Sequence, residues 1–282
     1  MVSVKELKSI DLSSYTIILT GIAVLFSVIA AILTTIGIGI LMPGNLASSI
    51  YLIPTIIVGA FICTIYNSFS EGLFYNLLVK KLNSIKFSFN DKELVKISTT
   101  ETATIIAIIT TIQIILIYLV SSFVLPIILN ATVQTLMFAG QQGVAYTFYQ
   151  LLVLYNQPAT IALIIFGTFI LTFVFVLIGT YIYNILGTNG KGATISLSKE
   201  NEWTLIDSIE PIKLAIAFAI ISGVLNIIIA LIMIILGNGA SNAIGNIIGG
   251  FIGGFIEAAL FAIFYNYLAP KLGKLKLELI DQ

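Results

Sequence analysis

Six apolar runs govern what this chain can fold into: Tyr15–Met42, Ile50–Val79, Thr99–Leu129, Ala159–Leu186, Ile212–Leu236 and Ala243–Leu268. Each is longer than the about 20 residues a helix needs to cross a hydrocarbon core about 30 Å thick. Lipid offers the backbone no hydrogen-bond partners, so such runs must satisfy their own polar groups as helices. Charged residues make up only 9% of the chain, against roughly 25% in soluble domains. The expectation is six crossings with both termini on one side. Lys5 and Lys8 precede the first run, but it is too long for a secretion signal and lacks a small-residue cleavage site, so it reads as a retained helix.

The lysines fix an orientation. Lys5 and Lys8 stand before the first helix, Lys80, Lys81, Lys86, Lys92 and Lys96 between the second and third, and Lys191 and Lys199 between the fourth and fifth. Lys213 opens the fifth, and Lys271, Lys274 and Lys276 follow the sixth. The opposite connections, Pro43–Leu46, Asn130–Pro158 and Gly237–Asn242, hold no charged residue. Basic loops stay on the cytoplasmic face, so the pattern predicts a cell-membrane protein with cytoplasmic termini. Net charge is zero, which points away from nucleic acid and leaves the lipid bilayer as the expected partner.

A repeat lies over these runs. Tyr75-Asn76, Tyr183-Asn184 and Tyr265-Asn266 each close an apolar run, and nine residues after each Asn begins a short alternating stretch: 85–89, 193–197 and 275–279. The beginnings also align. Lys5 to Asp11 matches Lys92 to Ser98 without gaps, and Thr204 to Glu210 more loosely. Asp11 and Ser98 suit helix caps, Ser98 with Glu101 has the spacing of a capping box, and Pro211 suits a first helical position. One unit therefore reads strand, helix, helix, strand, with units at 1–89, 90–197 and 198–282.

Closing and opening strands meet through Asn90-Asp91 and through Ser198-Lys199-Glu200-Asn201, which read as hairpin turns. The expected fold is an all-α membrane protein of six transmembrane helices, arranged as three helical hairpins about a pseudo-threefold axis. Six short strands form a small cytoplasmic sheet, closed or nearly closed by the terminal strands. The second unit departs from the others in its uncharged, aromatic and amide-rich outer loop, 130–158, which reads either as a helix lying in the interface or as a re-entrant segment.

Candidate sites are few. Gly245, Gly249 and Gly253 form a small-residue ridge that would let a second helix pack closely, and the same step leads to Glu257, placed deep in the membrane and facing protein. An ionisable group at such depth marks a site or a protonated structural carboxyl. Glu71 with Asn67, Ser68 and Ser70 makes a polar patch near an end of the second helix, lining a vestibule or snorkelling to the interface. Asn76, Asn184 and Asn266 suit the exit of a helix turning into a strand, or converge on an axis to bind an ion or headgroup.

Gly187 to Thr194 has the wrong glycine spacing for a phosphate loop, and no Ser or Thr follows Lys191. Without His no Ser-His-Asp arrangement is possible, and Cys63 alone forms neither an intramolecular disulfide nor a thiolate cage. No metal, cofactor or enzymatic activity is expected.

The closing half of each unit, clearest at Phe264-Tyr265-Asn266-Tyr267-Leu268-Ala269-Pro270-Lys271-Leu272-Gly273 with the strand that follows, resembles an uncharacterised prokaryotic transmembrane-domain family. The family's opening pattern, a strand followed by an acidic residue and Pro, is matched by Ile209-Glu210-Pro211 and only partly at Asp11-Leu12 and Ser98-Thr99. The resemblance implies a membrane fold and no known activity. The expected function is a non-enzymatic membrane scaffold or complex subunit that docks a protein on the cytoplasmic sheet; the competing expectation is a small pore or transporter with Glu257 on its pathway.

Overall fold

The computed structural model describes residues 2–42, 44, 46–237 and 240–282; Pro43, Asn45, Asn238 and Gly239, in two of the uncharged connections, lie outside them. The elements in order are β1 (Val2–Ile10), α1 (Leu12–Leu41), the short α2 (Leu46–Ser49), α3 (Leu52–Leu78), β2 (Lys86–Asn90), β3 (Glu93–Ile97), α4 (Thr99–Phe138), α5 (Gln142–Tyr155) and α6 (Pro158–Leu186). A π-helical turn (Gly187–Lys191) leads to β4 (Ala193–Glu200), β5 (Trp203–Ile209), α7 (Pro211–Ile235), α8 (Ala240–Leu272) and β6 (Lys276–Asp281). Helices α1, α3, α4, α6, α7 and α8 are long and apolar enough to cross a membrane, which makes this a multi-pass membrane protein.

The small sheet, expected closed or nearly closed by the terminal strands, is a complete barrel, β1-β2-β3-β4-β5-β6, antiparallel at every seam and closed by β6 on β1. An open sheet would present unpaired N–H and C=O groups at two edges, and closure removes both. The first hairpin turns at Asp91, which carries a positive φ of 55°. In the second, β4 runs on to Glu200, so the turn is Asn201-Glu202, with φ of 56° at Asn201, rather than Ser198 to Asn201.

All three expected helix starts hold, with α4 beginning at Thr99 directly after Ser98. Asp11 accepts from the Ser14 N–H at 2.8 Å, and Pro211 opens α7. Ser98 makes no capping box: its hydroxyl accepts from the Lys86 N–H at 3.0 Å and ties the helix start to β2.

The chain divides into two compact units, one of residues 1–102 with 177–282 and one of 103–176. In the first, α1 packs on α3 and α7 on α8, and α1 also touches α8 through an edge-on contact of Phe26 with Phe264 at 5.2 Å. The core lies where helices meet barrel. One cluster joins Ile206 and Ile209 of β5 to Ile18, Ile22, Tyr265 and Leu268. Another joins Phe87, Phe89, Leu94, Ile97 and Leu197 of the barrel to Tyr183 and Ala217.

The second unit corrects the expected outer loop. Helix α4 does not stop near Leu129 but continues to Phe138, 40 residues and about 60 Å in all. Thr132 and Thr135 return their hydroxyls to the carbonyls of Ile128 and Ala131, so the polar residues there do not interrupt the helix. Gly140, with φ of 73°, turns the chain, and α5 comes back alongside. The Tyr155 hydroxyl meets the Ser121 hydroxyl, and the Tyr118 and Tyr155 rings lie 5.2 Å apart. Helix α5 therefore runs antiparallel to the end of α4.

Candidate functional site

The three Tyr-Asn pairs make the same bonds. Asn76 donates to the Ile10 carbonyl at 2.8 Å and accepts from the Ile10 N–H at 2.8 Å. Asn184 does this to Ile97 at 2.8 and 2.7 Å, and Asn266 to Ile209 at 2.8 and 2.9 Å. A side-chain amide thus stands in for a neighbouring strand, exchanging both bonds with one residue as a hydrogen-bonded antiparallel pair does. The preceding tyrosines, all at or below 5% exposure, donate to Leu7, Leu94 and Ile206 at 2.7, 2.7 and 2.5 Å. Tyr183 and Tyr265 also accept from Ala193 and Leu275 at the start of the next strand, and the Ile85 backbone bonds Tyr75. Each pair latches a membrane helix to the last turn of its opening strand.

Each latch straddles a β-bulge. Lys8, Val95 and Asp207 are the residues skipped where β1 pairs with β6, β3 with β2 and β5 with β4. A bulge sets two residues against one and shifts side-chain alternation. That shift explains how Leu94 and Ile97, three apart, both enter one core cluster, and Ile206 and Ile209 another. Strict alternation would send them to opposite faces. The odd three-residue step between apolar positions was the available sequence signal.

A third recurring contact fastens the turn before each closing strand. The Ser84 hydroxyl donates to Glu6, the Gly192 N–H to Glu93 at 2.8 Å, and the Lys274 ammonium to Asp207 at 2.7 Å. Lys8 and Ser84 together hold the Glu6 carboxyl at about 2, and Lys274 holds that of Asp207 below the usual range. Because the folded-state pKa of Glu6 is depressed, its contribution is complete above the ordinary carboxylate pKa and is lost as pH falls from about 4.5 towards 2. Unfolding in detergent, followed by fluorescence of the single tryptophan, Trp203 on β5, should become easier across that window, and Glu6→Gln should flatten the dependence.

Asn76 and Asn184 lie in the last turn of α3 and α6, which end at Leu78 and Leu186, whereas Asn266 lies further inside α8, which continues to Leu272. The glycine ridge is corrected: an added Cβ at Gly245, Gly249 or Gly253 would meet nothing within 4 Å. Helix α8 packs through Gly250 and Gly254, where a Cβ would fall 2.6 Å from Asn226 Cγ and 2.7 Å from Ser222 Cβ on α7. The four-residue step was right and its face was wrong. Gly245→Ala, Gly249→Ala and Gly253→Ala should each be neutral or stabilise by up to about 1 kcal/mol, since alanine is the better helix former, whereas Gly254→Ala should destabilise; thermal unfolding of the four variants checks this.

Glu257 follows the open ridge and is exposed, not turned into protein. Glu71 is half-buried and accepts from the Tyr15 hydroxyl at 3.0 Å. Asn67 is exposed, its carbonyl accepting from Ser70, and Ser68 bonds back to Thr64. Among the described residues no group of three or more His, Cys, Asp or Glu side chains is placed to hold a metal ion. No protein-family model, curated protein or solved structure matches the chain.

Proposed function

We propose that the protein is a non-enzymatic membrane scaffold or complex subunit, made of three copies of a strand, helix, helix, strand unit like that of the transmembrane-domain family it resembles. In this reading the barrel and both termini face the cytoplasm from the cell membrane. The observation that carries it is the division of polar chemistry: the lysines all lie in the strands, their turns or the adjoining helix ends, while Glu71 and Glu257 stand apart from the other carboxylates within the apolar helices. A closed barrel offers no strand edge to a partner peptide, so docking would use side chains, and the exposed Val2 and Ile280 give the barrel a mixed surface. A pathway for ions or solutes would need polar lining, and the barrel strands supply apolar residues to the cores beneath the helices instead.

Affinity purification from native membranes tests the reading. A stoichiometric partner retained by the wild type and lost on Val2→Asp/Ile280→Asp supports it. The absence of any partner, together with solute flux in liposomes that Glu257→Gln abolishes, would replace it with the pore. A cysteine introduced at Gln282 should be shielded from an impermeant reagent in intact cells; labelling from outside would reverse the orientation.

A further inference from the structure

A groove of about 510 Å³ lies between α1, α3 and α8, walled by Thr16, Thr20, Val24, Phe61, Ile65 and Leu272 among others. Gly21 lets the end of α8 come down on α1 beside it: an added Cβ would sit 3.0 Å from Leu272 Cδ1 and 3.1 Å from Leu268 Cδ1. The wall is almost entirely carbon, and its flanks, Ile17, Phe61, Ile65 and Leu272, are all more than a third exposed. The groove thus opens sideways on the surface of helices that cross the membrane.

Its depth selects one leaflet. Helix α1 begins at Leu12 beside the barrel, so Thr16 to Leu25 lies about 6 to 20 Å from that end. One leaflet contributes about 15 Å, half the hydrocarbon core. The groove therefore has the reach of an acyl chain entering from the barrel side.

Two features at its barrel-side half suit the rest of a phospholipid. The hydroxyl oxygens of Thr16 and Thr20 are buried without a hydrogen-bond partner, and Thr20 is only 6% exposed. A buried hydroxyl left unpaired is costly, and an ester carbonyl in the groove would accept from it after rotation about one side-chain bond. Next to Leu272, Lys271 is exposed with its ammonium 3.3 Å above the Tyr267 ring, and no carboxylate pairs with it among the described residues. A phosphate there would meet that ammonium on its exposed side, with the ring contact kept.

We propose that this groove holds one anionic phospholipid of the barrel-side leaflet, with an acyl chain along α1, an ester carbonyl at Thr16 or Thr20, and the phosphate at Lys271. The groove lies at the α1, α3 and α8 junction, and its occupant does not depend on the scaffold reading.

Reconstitution into nanodiscs containing phosphatidylglycerol with a photoreactive group in its acyl chain tests the site, with mapping of the labelled peptides and native mass spectrometry after transfer to detergent. One retained lipid per chain and labelling concentrated on Phe61, Ile65 and Leu272 are expected. Val24→Phe should remove the retained lipid. Lys271→Gln, on an exposed position, should lower retention of phosphatidylglycerol about fivefold, the worth of one lysine near an anionic surface, and leave phosphatidylcholine unchanged. Labelling spread evenly around the helices, or retention indifferent to both substitutions, would show ordinary boundary lipid and overturn the site. If Val24→Phe fails to fold, the wild-type label map and Lys271→Gln decide alone.

Discussion

Gly187→Ala should lower the unfolding temperature more than any other single substitution considered. Gly187 opens the turn between α6 and β4 and is buried against the bulge of β3: a Cβ there would lie 2.8 Å from the Val95 carbonyl carbon and 2.9 Å from its Cα. The obstruction is backbone, so no side-chain rotation relieves it, and the strand that would have to move is pinned by Asn184 and Tyr183. Overpacking of this kind costs about 3 kcal/mol or more, which for a chain of this size is a fall in Tm of about 10 °C. The corresponding positions after the other two Asn residues are Val79 and Ala269. The constraint belongs to this junction, and thermal unfolding of Gly187→Ala beside Ala269→Gly, expected to be much milder, would show it.

Removing a latch amide should rank next. Asn76→Ala, Asn184→Ala and Asn266→Ala each strip both partners from one strand residue, Ile10, Ile97 or Ile209. An unsatisfied buried donor or acceptor costs about 1–3 kcal/mol, so each variant should lose about 2–4 kcal/mol. Asn184 also reaches the Thr99 hydroxyl at 3.1 Å, which places its variant at the upper end. Asn→Asp keeps the acceptor and loses the donor, and should fall between wild type and Ala. Had the three amides served to hold an ion, Ala would alter binding and leave unfolding in detergent nearly unchanged; the unfolding midpoint separates the two.

Much of this architecture could be read from residue order because lipid permits few alternatives. Length and hydrophobicity mark the six spans, and gapless spacing from each Tyr-Asn to the next strand marks where barrel follows helix. Closure by the terminal strands was legible because six short strands leave two open edges that β1 and β6 can satisfy. Two things escaped for physical reasons. The face on which α8 packs was misjudged because Gly249, Gly250, Gly253 and Gly254 offer two overlapping four-residue ridges, and only Asn226, Ser222 and Phe218 on α7 decide between them. The continuation of α4 beyond Leu129 was hidden by Asn130, Thr132 and Thr135, polar residues whose threonine hydroxyls turn back onto their own helix.

The Tyr-Asn residues were visible and their work was not. An asparagine at a helix exit is expected to satisfy its own helix; here each amide serves a neighbouring strand instead. The bulges at Lys8, Val95 and Asp207 bring that strand within reach, and each appears in sequence only as a break in alternation.

Closure of the barrel by β6 on β1 is the claim on which the fold rests. In a Cys63→Ala background, Lys5→Cys with Asp281→Cys places two thiols at partnered positions of β1 and β6, where an exposed ion pair of 2.5 Å now stands. Mild oxidation in intact membranes should convert nearly all of the chain to an internally cross-linked monomer, while Lys5→Cys with Glu202→Cys should not cross-link. Failure of the first pair to join, or joining only between chains, would contradict the closed barrel.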